Sequence, residues 1–127
     1  NNMHLTYVTI TNLLGQLYVE QGDYKLAEET YLKSLKIQQN SPDKYSQEFA
    51  NTLVGLGKMY GDMGDFDRCE KNILKGLDIW KNNGCDRMDS LNIAFTLENL
   101  GLHYQRNGDE IKAEQCMTES QRILNLK

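Results

Sequence analysis

One short pattern occurs three times along the chain. A leucine and a glycine are followed by a tyrosine, then by a second glycine and an aspartate. The first glycines of the three copies, Gly15, Gly57 and Gly101, lie 42 and 44 residues apart. The positions that keep this register are Leu14, Leu56 and Leu100; Tyr18, Tyr60 and Tyr104; Gly22, Gly64 and Gly108; Asp23, Asp65 and Asp109; and Ala27, Cys69 and Ala113. Such self-similarity predicts a repeat architecture.

Each copy is typical of a helical hairpin. Gly22 is expected to end one helix in the left-handed conformation, and Asp23 to accept amide hydrogen bonds at the start of the next. Apolar residues at helical spacing predict two buried stripes in the first copy, one through Val8, Leu14, Leu17 and Tyr18 and one through Ala27, Tyr31, Leu35 and Ile37. The predicted helices span roughly residues 4–21, 24–40, 44–63, 66–82, 88–107 and 110–125.

The interior glycines predict close contact between helices. Glycine costs a helix roughly 1 kcal/mol relative to alanine, so three in register need a compensating role. We expect Gly15 to let the first helix of its hairpin approach the small Ala27 face of the second, with Gly57 and Gly101 acting alike. Small residues of the second helices are expected to do the same towards the next repeat, and they are Ser34, Gly76 and Ser120.

The motif Leu-Gly-x-x-Tyr-x-x-x-Gly-Asp-aromatic-x-x-Ala resembles the tetratricopeptide repeat family. It is complete at residues 14–27, whereas Cys69 replaces the alanine of the second copy and Glu110 the aromatic residue of the third. The resemblance implies an all-α fold, a right-handed α-solenoid of three helical hairpins with six antiparallel helices. It implies one domain over residues 1–127, with repeats of approximately 1–43, 44–85 and 86–127. The extended period of about 42 residues is similar to that of kinesin light chains.

Composition narrows the class of partner. The net charge is -4 and charged residues make up 25% of the chain, without the clustered Lys and Arg that nucleic acid or an anionic membrane requires. We therefore expect a chain that binds neither. The sequence has no apolar run near the length that spans a bilayer, so a soluble chain is expected. Three cysteines, Cys69, Cys85 and Cys116, form no disulfide pattern and favour a cytoplasmic location. The sequence leaves open whether the chain is a fragment of a longer protein.

No catalytic or metal site is predicted. The closely spaced glycines of residues 54–57 fall inside a predicted helix, where close packing accounts for them better than a phosphate loop does. Glu28 and Glu29 are interpreted as exposed helix charges, and the cysteines as packed or idle thiols. His103 corresponds to Leu17 and Met59, both expected to be buried, so it is either a satisfied core-edge histidine or a pH-sensitive contact. We expect no cofactor and no enzymatic activity.

The resemblance implies a site for another protein. In relatives with bound peptides, the first helices of the hairpins line the inner groove, and an extended peptide or an amphipathic helix is the expected ligand. Transferred by register, the partner-binding positions are Thr9, Asn12, Gln16, Val19 and Glu20; Asn51, Val54, Lys58, Gly61 and Asp62; and Phe95, Glu98, Leu102, Gln105 and Arg106. Phe95 is the expected anchor. The clamp that holds chaperone carboxylates is not matched, since the corresponding residues are Asn12, Gln16, Gly55, Phe95 and Asn99.

Two alternatives stay open. The repeats could instead stack with further repeats or copies in a larger assembly, or regulate a catalytic domain outside this chain. The third copy is degraded, with Glu110 in place of Tyr24 and Phe66. It would be either the end of the array or a flank that meets further sequence or another chain. Self-association through that C-terminal flank would involve Ile111, Met117, Ile123 and Leu124.

Overall fold

The computed structural model describes residues 2–39, 46–82 and 87–125, and these contain helices and short turns but no strand. The helices are α1 (Asn2–Glu20), α2 (Tyr24–Gln39), α3 (Ser46–Asp62), α4 (Phe66–Asn82), α5 (Arg87–Arg106) and α6 (Glu110–Leu124). They agree with the predicted helices to within about two residues. The predicted end of the second helix at residue 40 and the predicted start of the third at residue 44 lie outside the described residues.

The three turns share one geometry. The turn glycines have φ of +81°, +88° and +87°, the left-handed region predicted for them, and they are Gly22, Gly64 and Gly108. The amide of Asp23 donates back to the Tyr18 carbonyl at 2.9 Å, which closes the end of α1. The Asp23 carboxylate then accepts from the Leu26 amide at 3.2 Å and caps α2. Asp65 and Asp109 cap α4 and α6 in the same way.

The chain divides into two compact units, residues 1–79 and 80–127. In the first unit, the ring of Tyr31 lies between α1 and α3. A Cβ built on Gly15 would lie 2.8 Å from that ring, and one on Gly55 would lie 2.7 Å from it. Gly15 therefore faces α2 as predicted, but the side chain it makes room for is the Tyr31 ring, one turn along α2 from the buried Ala27. Burial, with Glu20 nearby, raises the pKa of the Tyr31 hydroxyl to about 12.

A second contact joins the two repeats of this unit. The Tyr60 hydroxyl on α3 donates to the Glu28 carboxylate on α2 at 2.7 Å. Burial and this acceptor raise the pKa of Tyr60. Glu28 is thus not simply the exposed helix charge that the sequence predicted. Glu28, which follows the small residue Ala27, therefore links α2 to α3, the first helix of the second repeat.

Helices α3 and α4 meet through two glycines. A Cβ on Gly57 would lie 2.5 Å from the Ile73 side chain and 3.0 Å from the Cys69 carbonyl oxygen, so the predicted contact with the Cys69 face is present. A Cβ on Gly76 would lie 2.7 Å from Val54, on α3. Gly76 therefore packs within its own hairpin, and the prediction that it faces the next repeat was wrong.

In the second unit, α5 and α6 form the third hairpin. A Cβ on Gly101 would lie 3.0 Å from the terminal methyl of Met117 and 3.3 Å from the Ala113 carbonyl oxygen. The buried Ser120 hydroxyl donates to the Ala94 carbonyl at 2.8 Å. Ser120, like Gly76, contacts the first helix of its own hairpin, which corrects its predicted role. Ser34 is buried and contacts Gln38 within α2.

The predicted apolar stripe of α1 is only half correct. Val8 is fully buried and Tyr18 is partly buried, but Leu14 and Leu17 are 40% and 52% exposed. These two leucines are therefore not part of the core of unit 1, towards which α1 turns Gly15 and Val8 instead. Among the described residues, no helix combines the length and apolar character that crossing a bilayer requires.

The two glycine contacts predict different costs for the same substitution. Gly57→Ala places its methyl against a neighbouring backbone carbonyl and the fully buried Ile73, and we expect it to lower the free energy of unfolding by about 1–3 kcal/mol. Gly101→Ala meets the end of the flexible Met117 side chain. Its cost is offset by a gain in helix propensity of roughly 1 kcal/mol, so its net effect should be near zero.

Urea denaturation of the two variants and the wild type, followed by circular dichroism, measures this difference. Equal destabilisation by both substitutions would contradict the contacts assigned to the two glycines.

Candidate protein-binding surface

The first helices of the two hairpins in unit 1 contact each other directly. Asn12 on α1 donates to the Glu48 carboxylate on α3 at 2.9 Å, and its side-chain oxygen lies 2.7 Å from the Thr52 hydroxyl. The Tyr31 ring fills the space between the same helices one turn further along. Residues of α1 and α3 are therefore held side by side, as a surface built from first helices requires.

Asn12 has a structural role that the sequence did not indicate. Its amide group is engaged on both sides, by Glu48 and by Thr52. An amide that already holds two helices together cannot pair with a peptide backbone without breaking those bonds. We therefore assign Asn12 to the contact between the repeats rather than to a ligand.

The network of Asn12 continues into the core. The Thr52 hydroxyl, which is fully buried, accepts a hydrogen bond from the Gln38 amide at 2.9 Å. The same amide also donates to Ser34 at 2.6 Å. The register places the apolar residues Trp80 and Leu124 at the position of Gln38. A polar residue at this otherwise apolar repeat position was the sequence signal that could have indicated a buried hydrogen bond. Polar groups of three helices, α1, α2 and α3, are thus joined in one chain of hydrogen bonds.

Most of the other predicted positions in unit 1 reach solvent. Those that are exposed are Gln16, Glu20, Asn51 and Asp62, and those that are partly buried are Thr9, Val19, Lys58 and Gly61. Burial lowers the pKa of the Lys58 ammonium, and the Asp62 carboxylate acts in the opposite direction. The exposed part of this surface is therefore polar, with both signs of charge.

Val54 was wrongly placed in the groove. Its side chain is 5% exposed, and one of its methyl groups occupies the space above Gly76 on α4. The residue packs inside the α3–α4 hairpin because the absent side chain at Gly76 leaves room for it. Val54 therefore offers no apolar contact to a ligand.

In unit 2, α5 presents two large apolar side chains to solvent. Phe95 is 53% exposed and Leu102, two turns later, is 44% exposed. Gln105 and Arg106 are also exposed, whereas Glu98 is partly buried with an oxygen 3.4 Å from the Ser120 hydroxyl. Between the apolar pair, Asn99 donates to the Phe95 carbonyl at 3.1 Å. An apolar pair flanked by polar groups suits an amphipathic or extended protein ligand.

The largest exposed apolar face was missed by the sequence analysis. It lies on α1, and its residues are Met3, Tyr7, Ile10, Leu13, Leu14 and Leu17, all between 40% and 76% exposed. Their spacing of three and four residues was visible, but two of them had been assigned to the core. Of the predicted C-terminal flank, Ile111 is 73% exposed, while Met117, Ile123 and Leu124 are partly buried. The flank is thus less exposed than α1.

His103, Cys69 and Cys116 lie outside these surfaces. His103 is buried in α5, which fits the core-edge interpretation, and its pH-sensitive alternative stays a prediction. Burial raises the pKa of the Cys69 thiol to about 11, and burial also raises that of Cys116. Cys85 lies outside the described residues. Within the part of the chain that the structure covers, no three His, Cys, Asp or Glu side chains could together hold a metal ion.

Hairpins of this kind, with a left-handed glycine and an aspartate cap at each turn, define a class of helical repeat proteins. Two family models, each described as tetratricopeptide repeat, match residues 48–125 and 9–41. The chain belongs to the tetratricopeptide repeat family, whose repeats generally mediate protein–protein interaction.

A solved structure supports the same fold. BtubC (BKLC) from P. vanneervenii matches with a TM-score of 0.82 and 30% sequence identity, over 92% of this chain and 46% of that chain. This chain therefore spans about half the length of that protein. The predicted all-α solenoid class is confirmed, while the kinesin light chain type of repeat stays a prediction. No curated protein sequence matched.

The reassignment of Asn12 predicts a stability effect. Asn12→Ala removes the groups that pair with Glu48 and Thr52, and we expect it to lower the free energy of unfolding by about 1–3 kcal/mol. Gln16→Ala, one turn along the same helix and exposed, should change stability by less than about 0.5 kcal/mol. Chemical denaturation of both variants measures the difference. If the Asn12→Ala variant is as stable as the wild type, the assignment of Asn12 to the contact between the repeats is wrong, and Asn12 again belongs to the predicted ligand positions.

Proposed function

We propose that the chain binds segments of another protein, extended peptides or amphipathic helices, on exposed surfaces of its first helices, one surface on α5 and a separate one on α1 and α3. The exposure of Phe95 and Leu102 on α5 carries this proposal. Large apolar side chains cost free energy in water, and on a helix that buries Ile93, Leu97 and Leu100 the exposed pair suits a partner's contact. The proposed role is that of a binding scaffold in the cytoplasm, without catalysis.

The apolar pair supports an anchored mode of binding. Phe95 and Leu102 lie seven residues apart, so they project from one face of α5 about 10 Å from each other. Side chains of a partner helix or of an extended strand repeat at compatible distances. Gln105 and Arg106 lie at the edge of the pair and supply polar contacts there. Phe95 is the proposed anchor, because aromatic residues dominate the energetics of protein interfaces.

The surface of α1 and α3 supports binding through polar contacts rather than through an apolar anchor. Gln16 and Asn51 are exposed and carry amides that can both donate to and accept from a peptide backbone. Lys58, Asp62 and Glu20 add charges of both signs. This surface, taken by itself, suits a polar or extended segment rather than an apolar anchor. Asn12 and Val54 are left out of the proposed ligand contacts.

The alternative function, in which the repeats stack with further repeats or copies through the C-terminal flank, has less support than ligand binding. Of its four proposed residues only Ile111 is well exposed. Stacking through that flank and regulation of a catalytic domain stay predictions.

The anchor assignment predicts a loss of affinity. A peptide ligand is first selected from a displayed random-peptide library, and its affinity is then measured by isothermal titration calorimetry. Phe95→Ala should weaken binding about 10-fold or more, and Phe95→Ala with Leu102→Ala should weaken it further. The change should appear mainly in the dissociation rate, which surface plasmon resonance measures.

Leu74→Ala is the matched control. Leu74 on α4 is 46% exposed, close to the value for Leu102, but it lies on a second helix outside the proposed surface. It should leave the affinity unchanged. The assignment would be wrong if Phe95→Ala bound as tightly as the wild type, or if Leu74→Ala lost as much affinity, while circular dichroism showed both variants folded.

A further inference from the structure

We propose that α1 is a self-association surface, through which two copies of this chain pair about a two-fold axis at Ile10. The apolar face defined above on α1 supplies the contact, and it is distinct from the residues of α1, α3 and α5 that are proposed to bind a peptide. Ile10 and Leu13 are each more than half exposed, and they lie in the middle of the helix rather than at an end.

This face is separate from the core of unit 1. The core side of α1 is formed by Val8, Thr11 and Gly15, and Gly15 meets the Tyr31 ring. At about 100° per residue, the exposed apolar residues occupy an arc of roughly 120° on another side of the helix. Burial within unit 1 therefore does not account for them. A stripe this wide at helical spacing is the kind of face that packs against another helix.

The equivalent face of α3 shows what such a surface is shaped to meet. The register places Thr52, Leu56 and Met59 at the positions of Ile10, Leu14 and Leu17. All three are buried in α3, at 2% exposure or less. Their contacts include α2, since Gln38 donates to Thr52. The same side of a first helix is thus helix-covered in one repeat and exposed in the other, so a helix is the fitting occupant of the α1 face.

The spacing of the residues makes α1 complementary to itself. Met3, Tyr7, Ile10, Leu13 and Leu17 are separated by four, three, three and four residues, which is symmetric about Ile10. In an antiparallel pair with a two-fold axis at that residue, Met3 lies opposite Leu17, Tyr7 lies opposite Leu13, and Ile10 meets its own copy. An isologous interface requires this kind of self-complementary pattern.

Charge and area also fit a second copy. Residues 2–19 contain no Asp, Glu, Lys or Arg, so two α1 helices meet without like-charge repulsion although each chain carries a net charge of -4. The exposed area of the six apolar residues is on the order of 600 Å², at the upper end for a monomer's largest patch. Two such faces bury about 1,200 Å², the lower limit for a specific stable interface. The pair is therefore expected to be reversible.

Sedimentation equilibrium tests the proposal. The average mass of the wild-type chain should rise from one towards two chain masses between micromolar and near-millimolar concentration. Ile10→Glu brings two carboxylates together at the axis and should leave a monomer throughout. Ile111→Glu is the matched control: its residue is exposed on α6, and the variant should associate as the wild type does. Circular dichroism establishes that both variants remain folded.

Oxidative cross-linking tests the two-fold geometry. Ile10→Cys should form a cross-linked dimer well above the background from the native cysteines, because the axis brings the two residue-10 side chains together. Ile111→Cys should not exceed that background. A wild-type chain that stays monomeric at near-millimolar concentration overturns the proposal. So does association that Ile10→Glu leaves intact, or that occurs without the Ile10→Cys cross-link, since the α1 face would then take a different helical partner or none.

Discussion

The contact of the Tyr31 ring with α1 and α3 is the interaction on which the first unit depends. One aromatic ring lies where two glycines, Gly15 and Gly55, leave space on the facing helices. The ring lies between two first helices and so fixes their separation and the rotation of each about its axis. That rotation decides which residues of α1 face the core and which face solvent. The contact of Tyr31 therefore determines both the proposed ligand surface of α1 and α3 and the proposed self-association face of α1.

A buried chain of hydrogen bonds complements this apolar contact. Asn12, Thr52 and Gln38 belong to three helices, and a shift of one helix by a single turn would leave each amide without its partner. Apolar packing tolerates such shifts more readily than hydrogen bonds do, because its energy depends on area rather than on direction. The network thus specifies the register of the two repeats. Its cost is that Asn12, on a first helix, is no longer available to a ligand.

Local features of the fold were predictable from the sequence, and contacts between helices were predictable only in part. The turn at Gly22 and Asp23 depends on a few neighbouring residues, so its conformation and its cap could be read directly. The contact of Gly15 depends on the Tyr31 ring of α2, and the burial of Val54 depends on the absent side chain of Gly76 on α4. Leu17 was assigned to the core by its spacing alone. Spacing identifies an apolar face but does not identify what covers it.

The three faces of α1 give this helix an unusual range of contacts. One face packs on Tyr31, a second carries Gln16 and Glu20, and the third is the apolar face centred on Ile10. Because the second and third faces are different sides of the helix, pairing of two chains through the third leaves Gln16 accessible. A dimer would then carry two ligand surfaces in a fixed relation. A partner with two binding segments would gain avidity from it without any new contact, provided that its linker spans the distance between them.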